Sequence, residues 1–300
     1  MEPSASSTTP ERPGPTAQPH PGDQPDLTDL TDLPSLEDVG PTAPDAVAAY
    51  RRDGHALVRG LASPAEVAAF RPAIEAAAAE HNRETRPLAE RETYGQAFLQ
   101  TTNLWRVDPR IARFVLAPRF ARVAAELMGV AAVRLYHDQA LFKEPGGGRT
   151  PWHQDQFYWP FDSGDTVTMW MPLADVGPEV GSMHFVSASH RLGHVSGESI
   201  SDESDREVTA LIADRHLRVD THGPMRAGDA TFHAGWTLHS AGPNPTATMR
   251  PVMTVIYVAD PMVVARPRNP FQEFDRQVWL GGTAPGERVG SDGNPRLWPA

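Results

Sequence analysis

His153 and Asp155 stand two residues apart, and His239 and Arg250 stand eleven residues apart much later in the chain. On an extended backbone, positions i and i+2 point to the same side, so the imidazole and the carboxylate can converge on one ion. One distant histidine completes a set of two imidazoles and a carboxylate. That set suits ferrous iron and leaves coordination positions open. A 2-keto acid can fill two of them through its carboxylate and keto oxygens, and dioxygen the last. An arginine near the second histidine can then hold the far carboxylate of a diacid in a bidentate pair.

A His-x-Asp match is weak alone in a chain with twelve histidines. Its neighbours strengthen it. Gly146, Gly147 and Gly148 supply an adaptable loop just before it, and Trp152, Phe157, Tyr158 and Trp159 an aromatic wall after it. Aromatic groups beside a few polar ones are what a small organic ligand needs. By residue type alone the third ligand could also be His184, His190, His194, His216, His222 or His233. His239 is preferred because it closes a strand-like run before the turn at Gly242, Pro243, Asn244 and Pro245. A hairpin there returns Arg250 beside it. His233 reads better as a polar side chain near the pocket, and His190 as a loop-orienting residue.

The elements that must position these groups change character along the chain. Residues 1–43 are rich in Pro, Ser, Thr and Asp, and ten of the thirty prolines lie before Asp45. Such a segment cannot bury enough apolar surface to offset its ordering entropy, and it reads as a disordered tail. Leu27, Leu30, Leu33 and Leu36 have a spacing compatible with a short docking helix, but a linker fits the composition better. Residues 44–300 read as a single domain. Within it, Asp45 to Arg52 predicts a helix stopped by Gly54, and His55 to Val58 a strand. Ser63, Pro64 and Glu66 form a capping box with proline at the first helical position. The helix that follows runs to about Glu80 and buries Val67, Phe70 and Ile74. Asp108 to Leu116 and Pro118 to Met128 predict two more helices, the second closing at Gly129. Then strand signals take over, at Val133–Lys143, Val167–Leu173, Met183–Val186, Ala230–Phe232 and Met253–Val258. Helices first and strands later predict an α+β fold: a jelly-roll core (a double-stranded β-helix) behind an N-terminal helical layer.

Composition narrows the partners. The net charge of −11 argues against nucleic acid, whose phosphates need clustered Lys and Arg. No apolar run approaches the roughly 18 residues of a membrane span. No secretory signal is visible, and with no cysteine there is no disulfide or thiolate site. A cytoplasmic location is the default expectation.

Taken in order, these segments resemble the phytanoyl-CoA dioxygenase family of non-haem iron, 2-oxoglutarate-dependent oxygenases. The likeness runs from about Tyr50 to the carboxy terminus. It is carried by Asp53 to Gly60, by Leu141 to Gly148 with Trp152 to Gln156, by Gly181 to Arg191, and by His239 to Arg250. It implies that His153, Asp155 and His239 bind Fe(II), and that Arg250 pairs with the far carboxylate of 2-oxoglutarate. Gln139 and Trp170 fall where the family lines the cosubstrate, though Trp170 reads equally well as core packing; Lys143 reads either as a further carboxylate contact or as a solvated strand-edge lysine. Two departures touch the finer contacts. Ala241 stands where relatives often have a hydroxyl, with Ser240 one residue earlier. Thr101 or Thr102 stands where some supply a basic group. Asp155 argues against the related halogenases, which lack that carboxylate.

The activity implied is oxidation of a C–H bond of a small organic substrate by dioxygen, with 2-oxoglutarate going to succinate and carbon dioxide. Hydroxylation, epimerisation, desaturation or cyclisation are possible outcomes, and secondary metabolism is the expected setting. Without a basic cluster for coenzyme A phosphates, a small natural-product-like molecule is favoured over an acyl-CoA. Two other classes stay open: a non-oxidative metal hydrolase or isomerase on a cupin-like barrel, and a non-catalytic binding domain. Met169, Met171 and Met183 could surround an apolar substrate but read better as core.

Overall fold

Among the described residues, proline at the first turn opens five of the seven α-helices, and glycine just past the last residue closes two of them, the asymmetry expected of helix termini. The computed structural model describes residues 30, 32–37, 40–195 and 199–299. Helix α1 (Pro44–Asp53) ends on Gly54, which takes a left-handed φ of 81° and returns its N–H to the carbonyl of Tyr50. A Cβ there would lie 2.3 Å from Nδ1 of His190, so the position admits no side chain. Strand β1 (His55–Val58) follows, then α2 (Pro64–His81). Its reciprocal cap joins the Glu66 N–H to Ser63 Oγ at 3.2 Å and the Ser63 N–H to Glu66 Oε2 at 2.7 Å. The buried face of α2 holds Val67, Phe70 and Ile74, as its apolar spacing predicts, together with three alanines.

A short helix α3 (Thr93–Ala97) leads to strand β2 (Leu99–Thr102), α4 (Pro109–Val115) and α5 (Pro118–Met128). Strands then dominate: β3 (Val133–Phe142), β4 (Thr150–His153), β5 (Thr166–Pro172), β6 (Met183–Val186), and, past helix α6 (Asp202–Asp214), β7 (Val219–Thr221), β8 (Ala230–Ala234), β9 (His239–Ala241) and β10 (Val252–Ala259). Helix α7 (Pro270–Val278) and strand β11 (Arg296–Trp298) close the chain.

The strands form two antiparallel sheets of a jelly-roll core. The major sheet runs β1-β8-β5-β10-β3-β11, with β2 also on β3; the minor sheet runs β4-β9-β6-β7. Strands β5, β8 and β10 are buried at every position because both faces are covered. Met169, Met171, Met253, Val255 and Tyr257 face the same core as Phe70, Phe114 and Phe120 of the helices. Met169 and Met171 are therefore packing residues. The alternate residues face the minor sheet. At one point the alternation breaks. Ile256 pairs with His137 and Tyr257 with Leu135, so Tyr136 is the extra residue of a β-bulge, a device that re-aims a side chain beside a site.

The proline-rich tail falls largely outside the described residues, Leu27 included. Its last part does touch the body. Leu36 is 3% exposed within the main core, Arg119 donates to the Ser35 carbonyl at 3.3 Å, and residues 32–37 form no helix. Among the described residues no helix is long and apolar enough to cross a membrane.

Candidate metal and cosubstrate site

His153 and His239 meet because they are directly opposed on neighbouring strands. Strand β4 pairs with β9 in a register that sets His153 across from His239, and their rings lie 4.0 Å apart. After His153 the chain stays extended through Gln154 and then turns into a short 3-10 segment that begins at Asp155. The two glutamines flanking Asp155 fix that turn. Gln154 donates to the carbonyls of Gly193 and Trp236, both at 2.7 Å, and Gln156 accepts from the Thr166 hydroxyl at 2.6 Å. Helix α6 braces β4 from behind: Asp205 accepts from the Trp152 N–H at 2.9 Å and is ion-paired with Arg149.

The three side chains offer one ligand atom each, all within 4.8 Å of one another. Oδ1 of Asp155 lies 3.5 Å from His153 Nε2 and 3.6 Å from His239 Nε2. Both imidazoles have Nδ1 on a backbone carbonyl, His153 on Pro151 at 2.8 Å and His239 on Thr237 at 2.9 Å. With Nδ1–H donating there, the lone pair sits on Nε2, aimed at the common centre. The other carboxylate oxygen is occupied: the Thr168 hydroxyl donates to Oδ2 at 2.9 Å, and His233 Nε2 lies 3.3 Å from it. Oδ1 is thereby left to an ion. Burial alone would raise the Asp155 carboxyl, but the imidazoles of His239, His153 and His233 hold it well below the usual range. Burial, with His153 and His233 beside it, pushes His239 well down, so it is neutral and able to ligate at physiological pH. The donor set fits a divalent ion of ferrous type.

These residues line one cavity of about 790 Å3 of empty space, its open mouth included, and Arg250, Gln139 and Trp170 line it too. Arg250 pairs through its backbone with Lys143 in a single antiparallel bridge just ahead of β10. Arg250 is 3% exposed, and its guanidinium donates Nη1–H to the Gly181 carbonyl at 2.5 Å and lies over the Trp170 ring at 5.2 Å. Among the described residues no carboxylate pairs with it, and its Nε has no hydrogen-bond partner. Burial lowers it to about 9, so it remains a cation at neutral pH. A buried guanidinium without an anion is costly unless a ligand brings one. Gly181 must be glycine, since a Cβ would sit 2.9 Å from Arg250 Nη1 and 3.0 Å from Lys143 Cδ.

Gln139 is reached through a relay. The Tyr94 hydroxyl donates to Gln100 Oε1 at 2.7 Å, and Gln100 Nε2 donates to Gln139 Oε1 at 3.1 Å. The Gln139 oxygen is thus engaged, and its NH2 is the group left to meet a ligand. Lys143 departs from expectation. It is fully buried but not among the residues lining the cavity, and its amine turns to the Gly148 carbonyl at 2.5 Å. Burial, and then repulsion from Arg250, lowers that amine to about 7. Thr101 turns its hydroxyl to the Ala78 carbonyl on α2. Its neighbour Gln100, on the other face of β2, takes the place in the cavity.

Of the aromatic wall, Tyr158 and Trp159 line this cavity, while Trp152 and Phe157 line a smaller one behind β4. Met183 is on the main cavity wall, as are Ser240 and Ala241. Thr168, Gln100 and Asp275 escaped the sequence reading. Thr168 had a signal, sharing a strand face with Trp170 at i+2. Asp275 had none.

The phytanoyl-CoA dioxygenase model matches residues 50–252. The chain is 26% identical over 267 residues to an L-proline trans-4-hydroxylase of Streptomyces griseoviridis, covering 77% of this chain and 96% of the hydroxylase. It is 27% identical over 131 residues to a probable alpha-ketoglutarate-dependent hypophosphite dioxygenase of Stutzerimonas stutzeri, a match to 42% of this chain that spans only 46% of that protein. Among solved structures it is similar to SnoK, a non-haem alpha-ketoglutarate-dependent carbocyclase from nogalamycin biosynthesis. There the TM-score is 0.71 and identity 26%, over 86% of this chain and 100% of the other. It is equally similar to the epimerase SnoN, solved with Fe3+, alpha-ketoglutarate and nogalamycin RO, at TM-score 0.71 and 28% identity over 84% and 97% of the two chains. The chain belongs to the phytanoyl-CoA dioxygenase family, and it is a 2-oxoglutarate-dependent oxygenase.

Proposed function

We propose that His153, Asp155 and His239 hold Fe(II), and that Arg250 takes the far carboxylate of 2-oxoglutarate, with Gln139 and Trp170 along its length. The enzyme then oxidises a C–H bond of a small organic substrate of secondary metabolism, by hydroxylation or by the epimerisation or cyclisation open to the same chemistry. When bound, iron and 2-oxoglutarate would supply the oxidation: dioxygen and the keto acid are consumed, succinate and carbon dioxide leave, and the second oxygen atom enters the substrate on hydroxylation or leaves as water where the substrate is instead cyclised or epimerised. The chain's own residues do the placing. Thr168 and His233 keep one carboxylate oxygen of Asp155 engaged, so three protein ligands leave three positions open. The Arg250 guanidinium sets the orientation of a diacid, and Gln139 presents an amide N–H beside it. A misplacement of about 1 Å in such a site costs on the order of a hundredfold in rate, which explains why each group hangs on strand register or on a side-chain relay. The helices ahead of β3 we take as a supporting layer for the major sheet, in a single domain that begins near Pro44.

The observation that carries this reading is one cavity holding both the three converging ligand atoms and a buried arginine with no carboxylate partner among the described residues. Calorimetry under anaerobic conditions tests it. Fe(II) and 2-oxoglutarate should each bind once per chain, 2-oxoglutarate more tightly after iron. Failure of the apoprotein to bind either one would end the assignment.

A further inference from the structure

Two organic molecules must share the main cavity. Cross-strand pairing puts Gln139, Thr254 and Trp170 on one rung of the major sheet and His137, Ile256, Thr168 and His233 on another. Thr168 and His233 touch Asp155, so the second rung marks the level of the metal ligands. A diacid running from Arg250 to the ligands covers the first rung. A substrate is left the space past Ile256, where Trp159, Ile200 and Asp275 complete the wall. Dioxygen takes the last open position, so a way to the ligands that crosses neither molecule would serve it.

The smaller cavity behind β4 meets that need. It lies between the turn that carries Asp155 and helix α6, and His153 and Tyr158 stand on the walls of both cavities. A metal ligand is thus common to the two. Trp152, Phe157, Val208 and Leu238 supply its apolar wall, Val208 and Leu238 from a small core they share with Val186. The polar side chains beside them are spent within the protein. Gln154 donates to two carbonyls and accepts the Val195 N–H at 3.1 Å. The Ser204 hydroxyl donates to the Ser201 carbonyl and accepts the Ser201 N–H, both at 3.0 Å. His153 has Nδ1 on Pro151 and Nε2 facing Asp155. A buried water needs about two to four polar partners, and these side chains offer no such set. An apolar guest gives up nothing by entering. Size narrows the guest: about 270 Å3 of empty space, mouth included, against about 790 Å3 for the cavity that takes the organic reactants.

We propose that this second cavity is a binding site for a small apolar gas, and that the gas is dioxygen, passed to the ligand centre beside His153 and Tyr158. The gas site itself stands on the cavity's walls; its role in delivery rests on the oxygenase reading above.

Dioxygen is paramagnetic and speeds the relaxation of nuclei it approaches, so methyl NMR of the apoprotein under oxygen pressure, against nitrogen, tests the site directly. The methyls of Val208 and Leu238 should be relaxed several-fold more than those of Ile111 and Leu127, which are 0% exposed and line neither cavity. The excess should persist when Zn(II) and 2-oxoglutarate occupy the main cavity. Val208→Phe, which fills the space, should remove the excess at Leu238. In the protein loaded with Fe(II) and 2-oxoglutarate, it should raise the dioxygen concentration for half-maximal oxygen uptake by about fivefold, with a smaller change in the saturated rate. Equal relaxation at the four sites in wild type overturns the proposal, and that comparison needs no variant to fold. So does an excess that vanishes on loading with Zn(II) and 2-oxoglutarate, since the gas would then enter through the main cavity. A Val208→Phe protein with wild-type oxygen dependence overturns the delivery role. Failure of Zn(II) or 2-oxoglutarate to bind would strike the oxygenase reading and leave the apoprotein comparison standing.

Discussion

The two ends of the cavity are built in different ways. At the Arg250 end every group is fixed by strand register. Arg250 pairs with Lys143 through the backbone, Trp170 and Gln139 share a rung, and Gly181 is shaped to receive the guanidinium. At the Asp275 end the groups come from a 3-10 turn, a loop residue and a terminal helix. Strand register cannot slip without turning every side chain to the opposite face, so it suits a cosubstrate that never changes. Turns and a helix added at the end can vary without disturbing the sheets, and that is where specificity belongs.

The largest effects should come from the shared end. His239→Ala removes one of the three converging ligands. Fe(II) affinity, read by anaerobic calorimetry, should fall by more than about a hundredfold, since losing even a supporting residue costs ten- to a hundredfold. A variant that binds iron within a few-fold of wild type would separate His239 from the metal. Arg250→Leu should weaken 2-oxoglutarate by about a hundredfold while leaving Fe(II) binding intact, as expected when one partner of a buried charge pair is lost. Equal loss of iron and 2-oxoglutarate would mean that Arg250 supports the fold, and the contrast between the two ends would blur.

Most of the Arg250 end was legible in the sequence, and most of the Asp275 end was not. His153 and Asp155 are separated by a strand period, and His239 and Arg250 are bracketed by a turn of Gly and Pro. Both are local signals. The capping box at Ser63 and the stops at Gly54 and Gly129 were legible for the same reason. Asp275 sits on a short amphipathic helix like many others, and its place on the cavity wall involves the bulge residue Tyr136, more than a hundred residues away. Lys143 misled for a related reason. A lone lysine beside a carboxylate site suggests a contact, but its direction is set by the Gly148 carbonyl, which no pattern encodes. Of the two threonines, Thr101 lies on the opposite face of β2 from the cavity and Thr102 on the same face as Gln100, but it is Gln100 that lines the cavity.

Thr168 sharpens the comparison at its midpoint, because it belongs to the major sheet but acts on a ligand in the turn that follows β4 of the minor one. Thr168→Val keeps the shape and removes the hydroxyl that occupies Asp155 Oδ2. Fe(II) affinity should drop by on the order of tenfold, and the visible spectrum of the Co(II)-loaded protein should shift as the carboxylate gains freedom to bind through both oxygens. An unchanged spectrum with unchanged affinity would show that His233 alone suffices.

The smallest effect belongs to Lys143, behind the rigid end but outside the cavity. Lys143→Met should leave 2-oxoglutarate affinity within about threefold, because the amine is spent on Gly148 and the cosubstrate's anion is met by Arg250. Its signature should appear in stability. In the folded protein the amine loses its proton near pH 7, while in the unfolded chain it keeps the proton to about 10.4. Between those values the unfolded state binds more protons, so wild-type stability gains with rising pH. The variant lacks the buried ammonium. It should therefore be the more stable protein below about pH 7 by urea midpoint, with the gap closing as pH rises through that window. A gap that widens with pH would mean that the ammonium is favoured in place, as it would be if a carboxylate were its natural partner, and Lys143 would then return to the cosubstrate end.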